Sequence, residues 1–256
     1  MGTSKSGVRL PLHITISTLF IGMVVLLGLV LSVQSYLKSS DIVLSSAAQL
    51  HEKISEEVQL RFNATYRPVV GSLRLLALSP IVEADTKAKR IDNLPLLIAA
   101  LSEVPAVSGI QLGYANGDYF IVRPLRSDYM RERFSAPSGA GFVVDNIDSV
   151  TPSGRMLSRS YFDANLNLVL QNDPVGSDYD PRLRPWYRKA LEEQRIVWTD
   201  PYIFFTSQKP GITIAGPIYG TEGELKGIVG VDLEIDELST FISKLRIGKN
   251  GRAFML

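Results

Sequence analysis

The chain has 256 residues, with 27 Lys and Arg against 26 Asp and Glu, no cysteine and two histidines. A net charge of +1 provides no basic field for nucleic acid, and the lack of cysteine removes disulfide frameworks and thiol chemistry. With only His13 and His51 available, metal sites and Ser-His catalysis have almost no raw material, so no catalytic residue, metal or cofactor is expected.

Ile14 to Val33 is a 20-residue run without charge. A helix of that length spans about 30 Å, the thickness of a bilayer's hydrocarbon core. Lys5 and Arg9 precede it, and Lys38 is the nearest basic residue after it. The positive-inside rule therefore keeps residues 1–13 in the cytoplasm and places everything after Val33 outside. Its length, and the poor cleavage site at Val33-Gln34-Ser35-Tyr36, favour an uncleaved anchor over a signal peptide.

From Val43 the apolar positions Ala47, Leu50, Ile54, Val58, Phe62, Tyr66, Val69, Leu73 and Leu76 follow in steps of three or four, one stripe of a helix. Pro68 is expected to kink it and Pro80 to end it. The stripe suits both packing on a domain and a homodimer seam. A second helix is signalled by Asp92 or Asn93 as cap, Pro95 in the first turn and Leu96 to Leu101.

The period then changes to two. Ile110, Leu112 and Tyr114 alternate, Asn116-Gly117 is a hairpin turn, and Tyr119 to Val122 is the return strand. Ser127 to Ser153 is polar, rich in Gly and Pro, and reads as a long loop. Met156 to Phe162 and Leu168 to Gln171 form the next strand pair, across Asp163-Ala164-Asn165. Pro185 to Glu193 is a short helix. Strands follow at Tyr202 to Thr206, Ile212 to Tyr219 and Leu225 to Leu233, with a closing helix over Ile235 to Leu245. The order gives an α+β fold: one antiparallel sheet with helices to one side. Gly251 to Leu256 looks like a strand just begun, so the chain reads as a fragment.

The densest polar and aromatic cluster is Ser177 to Arg188. Arginine offers a planar fork for a carboxylate, and Trp and Tyr offer flat walls with one donor each. Such a cluster suits the end of a pocket for a small anionic or zwitterionic ligand. From spacing alone the apolar face of a short helix flanked by structural ion pairs is the favoured reading.

The stretch Tyr179-Asp-Pro-Arg-Leu-Arg-Pro-Trp-Tyr-Arg188, followed by Trp198-Thr-Asp-Pro-Tyr-Ile-Phe204, then Gly211 to Gly220 and Gly223 to Ile242, resembles the double Cache sensor domains of bacterial transmembrane receptors. The resemblance implies a transmembrane helix at 14–33, a long stalk helix at 36–80, a membrane-distal PAS-like lobe at 81–246 and the start of a second lobe at 247–256. It further implies that Tyr179, Arg184, Trp186, Tyr202 and Asp232 hold the ligand, with Arg184 and Trp186 near its carboxylate and Asp232 facing its ammonium. A second acidic residue is expected two positions after Tyr202. Phe204 stands there, so a small carboxylate is as well suited as an amino acid. Asp232 also reads as a cap for the helix starting near Ile235.

The functional expectation is extracytoplasmic sensing of a small molecule by a membrane-anchored receptor, as a homodimer with a separate output domain: a chemoreceptor, histidine kinase, nucleotide cyclase or cyclic-di-GMP enzyme. The alternatives are an envelope structural or protein-binding ectodomain, and an envelope hydrolase.

Overall fold

The computed structural model describes residues 11–104 and 107–236. They fall into two compact units, residues 1–59 and 60–256. Helix α1, Leu12–Leu76, continues through Pro68 without a break. The first unit contains its apolar stretch, where the side chains from Leu19 to Val33 are exposed; it is long and apolar enough to cross a membrane. Val43 and Leu50 of the predicted stripe are also exposed. The side chains of Val58 and Phe62 lie outside the described residues.

In the second unit the same stripe is buried: Tyr66, Val69, Leu73 and Leu76 are each at most 2% exposed. The chain leaves α1 four residues before Pro80, which opens a 3-10 turn at Pro80–Glu83. A short helix absent from the sequence reading, α2 (Lys87–Asp92), is capped by the Thr86 side chain. Asn93 closes α2 and opens α3 (Leu94–Glu103).

The hairpin β1 (Val107–Tyr114) and β2 (Tyr119–Pro124) closes over Asn116-Gly117, where Gly117 takes φ +93°. The predicted loop over 127–153 is instead a helix and a strand. Ser127 caps α4 (Asp128–Arg133), and Phe142–Asp148 forms β3, paired with β2 from Phe142 to Ile147. Asp145 and Asn146 give β3 a loop-like composition, yet both are buried and bonded: Asp145 to Arg123 and Arg159, Asn146 to Arg90.

Then come β4 (Met156–Phe162), β5 (Leu168–Gln171), β6 (Val175–Gly176) and α5 (Pro185–Glu193), which follows a 3-10 turn at Pro181–Leu183. They are followed by β7 (Val197–Trp198), β8 (Tyr202–Ile203), β9 (Pro210–Tyr219) and β10 (Leu225–Glu234). The strand expected over Tyr202 to Thr206 stops at Ile203. The Phe204 carbonyl accepts from the Gln208 N–H, and this turns the chain. The closing helix at 235–245 and the strand start at 251–256 lie, beyond Asp236, outside the described residues.

The sheet is antiparallel in the order β5-β4-β3-β2-β1-β10-β9-β7, with β6 on β4 and β8 on β9. Period-two alternation sorts its residues into two faces. Ile110, Leu112, Phe120, Val122, Val144, Ile214, Val229 and Val231 share a core with Tyr66 to Leu76 of α1 and with α3. The opposite face carries Gln111, Tyr119, Arg123, Asp145, Thr213, Asp232 and Glu234 in the intervening positions. Nothing in an ordinary core requires that row of polar residues.

Candidate functional site

Helix α5 lies on this polar face because the strands beneath it carry glycine. A Cβ at Gly113 would come within 2.8 Å of Pro181 and 3.0 Å of Trp186 and Tyr187. One at Gly230 would sit 3.3 Å from the Trp186 ring. Trp186 is thus seated on a glycine floor and is 1% exposed. With Tyr119, Ile121, Tyr187, Ala190 and Ala215 it forms a second core, which fixes one wall of a cavity.

A chain of hydrogen bonds runs across the floor. The Tyr119 hydroxyl donates to Gln111 Oε1 at 2.8 Å, and Gln111 Nε2 donates to Asp232 Oδ1 at 2.6 Å. The Thr213 hydroxyl donates to the same Oδ1 at 2.6 Å, and with its proton so committed it accepts from the Tyr202 hydroxyl at 2.6 Å. This leaves Asp232 Oδ2 without a hydrogen-bond partner among the described residues. Burial pushes the Asp232 carboxyl up to about 6, against the lowering effect of Thr213, Arg123 and Gln111. Burial likewise raises the Tyr179 hydroxyl to about 12, opposed by its bonds with Tyr119 and Trp186, and raises Tyr202 and Tyr119 well above the usual tyrosine value.

Two other charges on the wall are already matched. Arg123 Nη1 lies 2.9 Å from Asp145, which also holds Arg159. Glu234 receives Lys209 Nζ at 2.8 Å. Arg184 differs. It sits at the N-cap of α5 on extended backbone and is half-buried. Its guanidinium makes no hydrogen bond or ion pair among the described residues; it faces the Tyr179 ring at 5.8 Å and the Phe205 ring at 5.5 Å.

All five residues singled out from the sequence, Tyr179, Arg184, Trp186, Tyr202 and Asp232, line this one cavity. The Asp232 carboxylate is engaged within it. Phe204 lines it too, its ring packed where a Cβ on Gly211 would stand. Sequence reasoning missed Gln111, Tyr119, Arg123 and Glu234. Alternation places all four on the face of Asp232, so the strand period was the available signal. The rings fill the interior: the free volume is about 20 Å³, room for one water. Phe205, 49% exposed and 5.1 Å from Tyr179, is the most exposed ring of the lining.

An antiparallel sheet, with α1 and α3 on its apolar face and α5 beside a ring-walled polar pocket on the other, has the form of a PAS-like sensor lobe. Residues 139–240 match the family described as the methyl-accepting chemotaxis protein-like first PDC sensor domain. Over that segment the chain is similar to sensor domains of this PDC, or Cache, type. It is 29% identical over 168 residues to adenylate cyclase 1 of Rhizobium meliloti, covering 64% of this chain and 24% of that protein. It is 36% identical over 100 residues to the chemotaxis protein PscA of Pseudomonas syringae (38% and 16%). It is 40% identical over 128 residues to McpB of Bacillus subtilis (49% and 19%). The chain spans a quarter or less of the length of these relatives. Among solved structures it is similar to the ligand-binding domain of PctB from Pseudomonas aeruginosa in complex with L-Gln, at 20% identity and TM-score 0.49 over 79% of this chain and 61% of that one. The Campylobacter jejuni Tlp3 domain with L-valine gives 19% and 0.47 over 76% and 60%.

Proposed function

We propose that this chain is the extracytoplasmic, ligand-sensing part of a membrane-anchored signalling receptor, and that its pocket binds a small carboxylate or amino-acid-like molecule. The observation that carries the reading is Arg184. A guanidinium in the wall of a ring-lined cavity, without a carboxylate of its own among the described residues, is arranged for a bidentate anion. Asp232 Oδ2 offers an acceptor for the other end of a zwitterion. In this reading residues 14–33 cross the inner membrane with residues 1–13 in the cytoplasm, residues 36–80 serve as a stalk, residues 81–246 form the distal lobe and residues 247–256 begin a second one.

The exposed apolar positions Val43, Ala47 and Leu50 support a homodimer through the membrane-proximal part of the helix. The relatives join similar sensors to chemotaxis signalling and to a cyclase, so the output lies in another part of the receptor, and this chain binds without catalysing.

The test is Arg184→Ala. Calorimetric titration with a panel of amino acids and organic acids should detect a ligand for the unaltered chain and at least about a tenfold loss in the variant. Its thermal midpoint should fall by little, since among the described residues the Arg184 guanidinium makes no ion pair or hydrogen bond and only faces the Tyr179 and Phe205 rings. Binding that survives the substitution would remove Arg184 from the site.

A further inference from the structure

The pocket's acceptor inventory points to a narrower ligand class, and the argument rests on the pocket reading above. A primary ammonium brings three N–H donors. The charged and amide acceptors on this wall are almost all spent. Asp232 Oδ1 takes Gln111 and Thr213, Gln111 Oε1 takes Tyr119, and Glu234 takes Lys209. Among the described residues Asp232 Oδ2 and Glu234 Oε1 are left, two oxygens on two side chains for three donors. The position two residues past Tyr202, where an acceptor would complete the set, is Phe204. It is 7% exposed, edge-on to Tyr202 at 5.2 Å and pressed onto Gly211. The Gly211 site has no room for a Cβ, so this strand is shaped around the phenyl ring.

A ligand with neither a cation nor a hydrogen-bond donor fits no better, since it would set an apolar group against the Asp232 carboxylate. A methylated ammonium resolves both conflicts. It presents few or no N–H donors, and it is attracted by one carboxylate and by the negative faces of aromatic rings. Tyr179, Trp186, Tyr202 and Phe204 supply those rings beside Asp232. At the other end Arg184 supplies the fork for a carboxylate.

We propose that the ligand is a betaine-type zwitterion, a small carboxylate bearing a methylated ammonium, with Arg184 on its carboxylate and Tyr179, Trp186, Tyr202 and Phe204 enclosing its cation next to Asp232. Phe204 is the specificity-determining residue: it replaces hydrogen-bond acceptance with an apolar, electron-rich wall.

The test titrates the full chain in detergent micelles with three matched sets, built on glycine, L-alanine and L-valine. Each set holds the parent amino acid, its N,N,N-trimethyl derivative and the neutral isostere with tert-butyl in place of trimethylammonium. The trimethyl member of at least one set should bind roughly tenfold tighter than both its companions. Phe204→Asp should move the preference toward the parent amino acid by about the same factor. Phe204→Leu keeps the bulk without the ring, and covers the case in which the aspartate variant fails to fold. It should weaken the trimethyl member while leaving the parent unchanged. Tighter binding of a parent amino acid or a neutral isostere, lost in Arg184→Ala, overturns the betaine proposal and leaves the pocket reading standing. So does a preference that neither Phe204 substitution moves. No binding by any member, or binding that persists in Arg184→Ala, overturns both.

Discussion

Asp232 shows what a buried carboxylate in the proposed site costs the fold. Its carboxyl, buried and 7% exposed, is pushed up from 3.8 to about 6. The folded chain therefore holds the Asp232 proton up to about pH 6, whereas the unfolded chain releases it near pH 4. Between these values the folded state binds more protons than the unfolded one, so stability falls as pH rises. The full cost is present above pH 6, and two units correspond to about 3 kcal/mol. Asp232→Asn keeps an oxygen to accept from Gln111 and Thr213 and removes the charge. It should stabilise the ligand-free chain at pH 7.5 by about 1–3 kcal/mol and flatten the decline of the thermal midpoint between pH 4 and 6. A ligand cation should bind more weakly to it. Thermal melts across pH 4 to 8 check the sign: a variant less stable than the unaltered chain at pH 7.5 would mean that the buried charge is fully compensated by its donors.

Arg90 presents the opposite case. It is fully buried, and its guanidinium donates to Asp118 at 2.6 Å, to Asn146 at 2.8 Å and to the Ala84 carbonyl at 3.0 Å, with the Tyr114 ring 4.5 Å away. Burial alone would raise the Asp118 carboxyl, but bonds from Ser149 and Arg90 outweigh it and hold the group below its usual value. Arg90→Met leaves Asp118 largely buried without its cation and should cost about 3–5 kcal/mol in urea unfolding at pH 7. A loss below about 1 kcal/mol would show that Asp118 recovers its solvation through Ser149 and water.

At the scale of elements, glycine decides how closely α5 approaches the sheet. Gly113→Ala would drive a methyl into Pro181, Trp186 and Tyr187 at once, in a region with no flexible side chain to give way. An overpacking cost of about 1–3 kcal/mol is expected, with ligand affinity falling because Trp186 must move. Gly154→Ala is the contrast: its Cβ would meet nothing within 4 Å, so its effect comes only from φ +86°.

The elements also show which parts of the fold were legible in the sequence. Helices with clean apolar spacing and strands with alternating apolar residues were readable because a single face carries the signal. β3 was not, because its charged and amide residues are satisfied by arginines up to 58 positions away. The site divided in the same way. Tyr179, Arg184 and Trp186 are close in sequence and were found as a cluster, whereas Gln111, Tyr119 and Thr213 reach Asp232 only through strand pairing.

For the whole molecule, the proposed function requires that residues 60–236 and residues 1–13 lie on opposite sides of a membrane. The absence of cysteine makes this directly measurable, since any thiol introduced is the only one in the chain. Ser153 is exposed in the second unit, and Ser4 lies before the apolar run. Ser153→Cys should react with a membrane-impermeant maleimide on intact spheroplasts, and Ser4→Cys only after permeabilisation. The orientation is set by few charges, Lys5 and Arg9 against Lys38. Replacing Lys5 and Arg9 by Gln while adding arginines after Val33 should therefore invert or mix the labelling pattern. A placement driven by translocation of the folded-domain side alone would leave the pattern intact, because long exported domains cross largely regardless of charge. Equal labelling of both single-cysteine chains before permeabilisation would contradict the receptor reading itself, because a pocket and its anchor's leading segment on one side leave the helix nothing to transmit across.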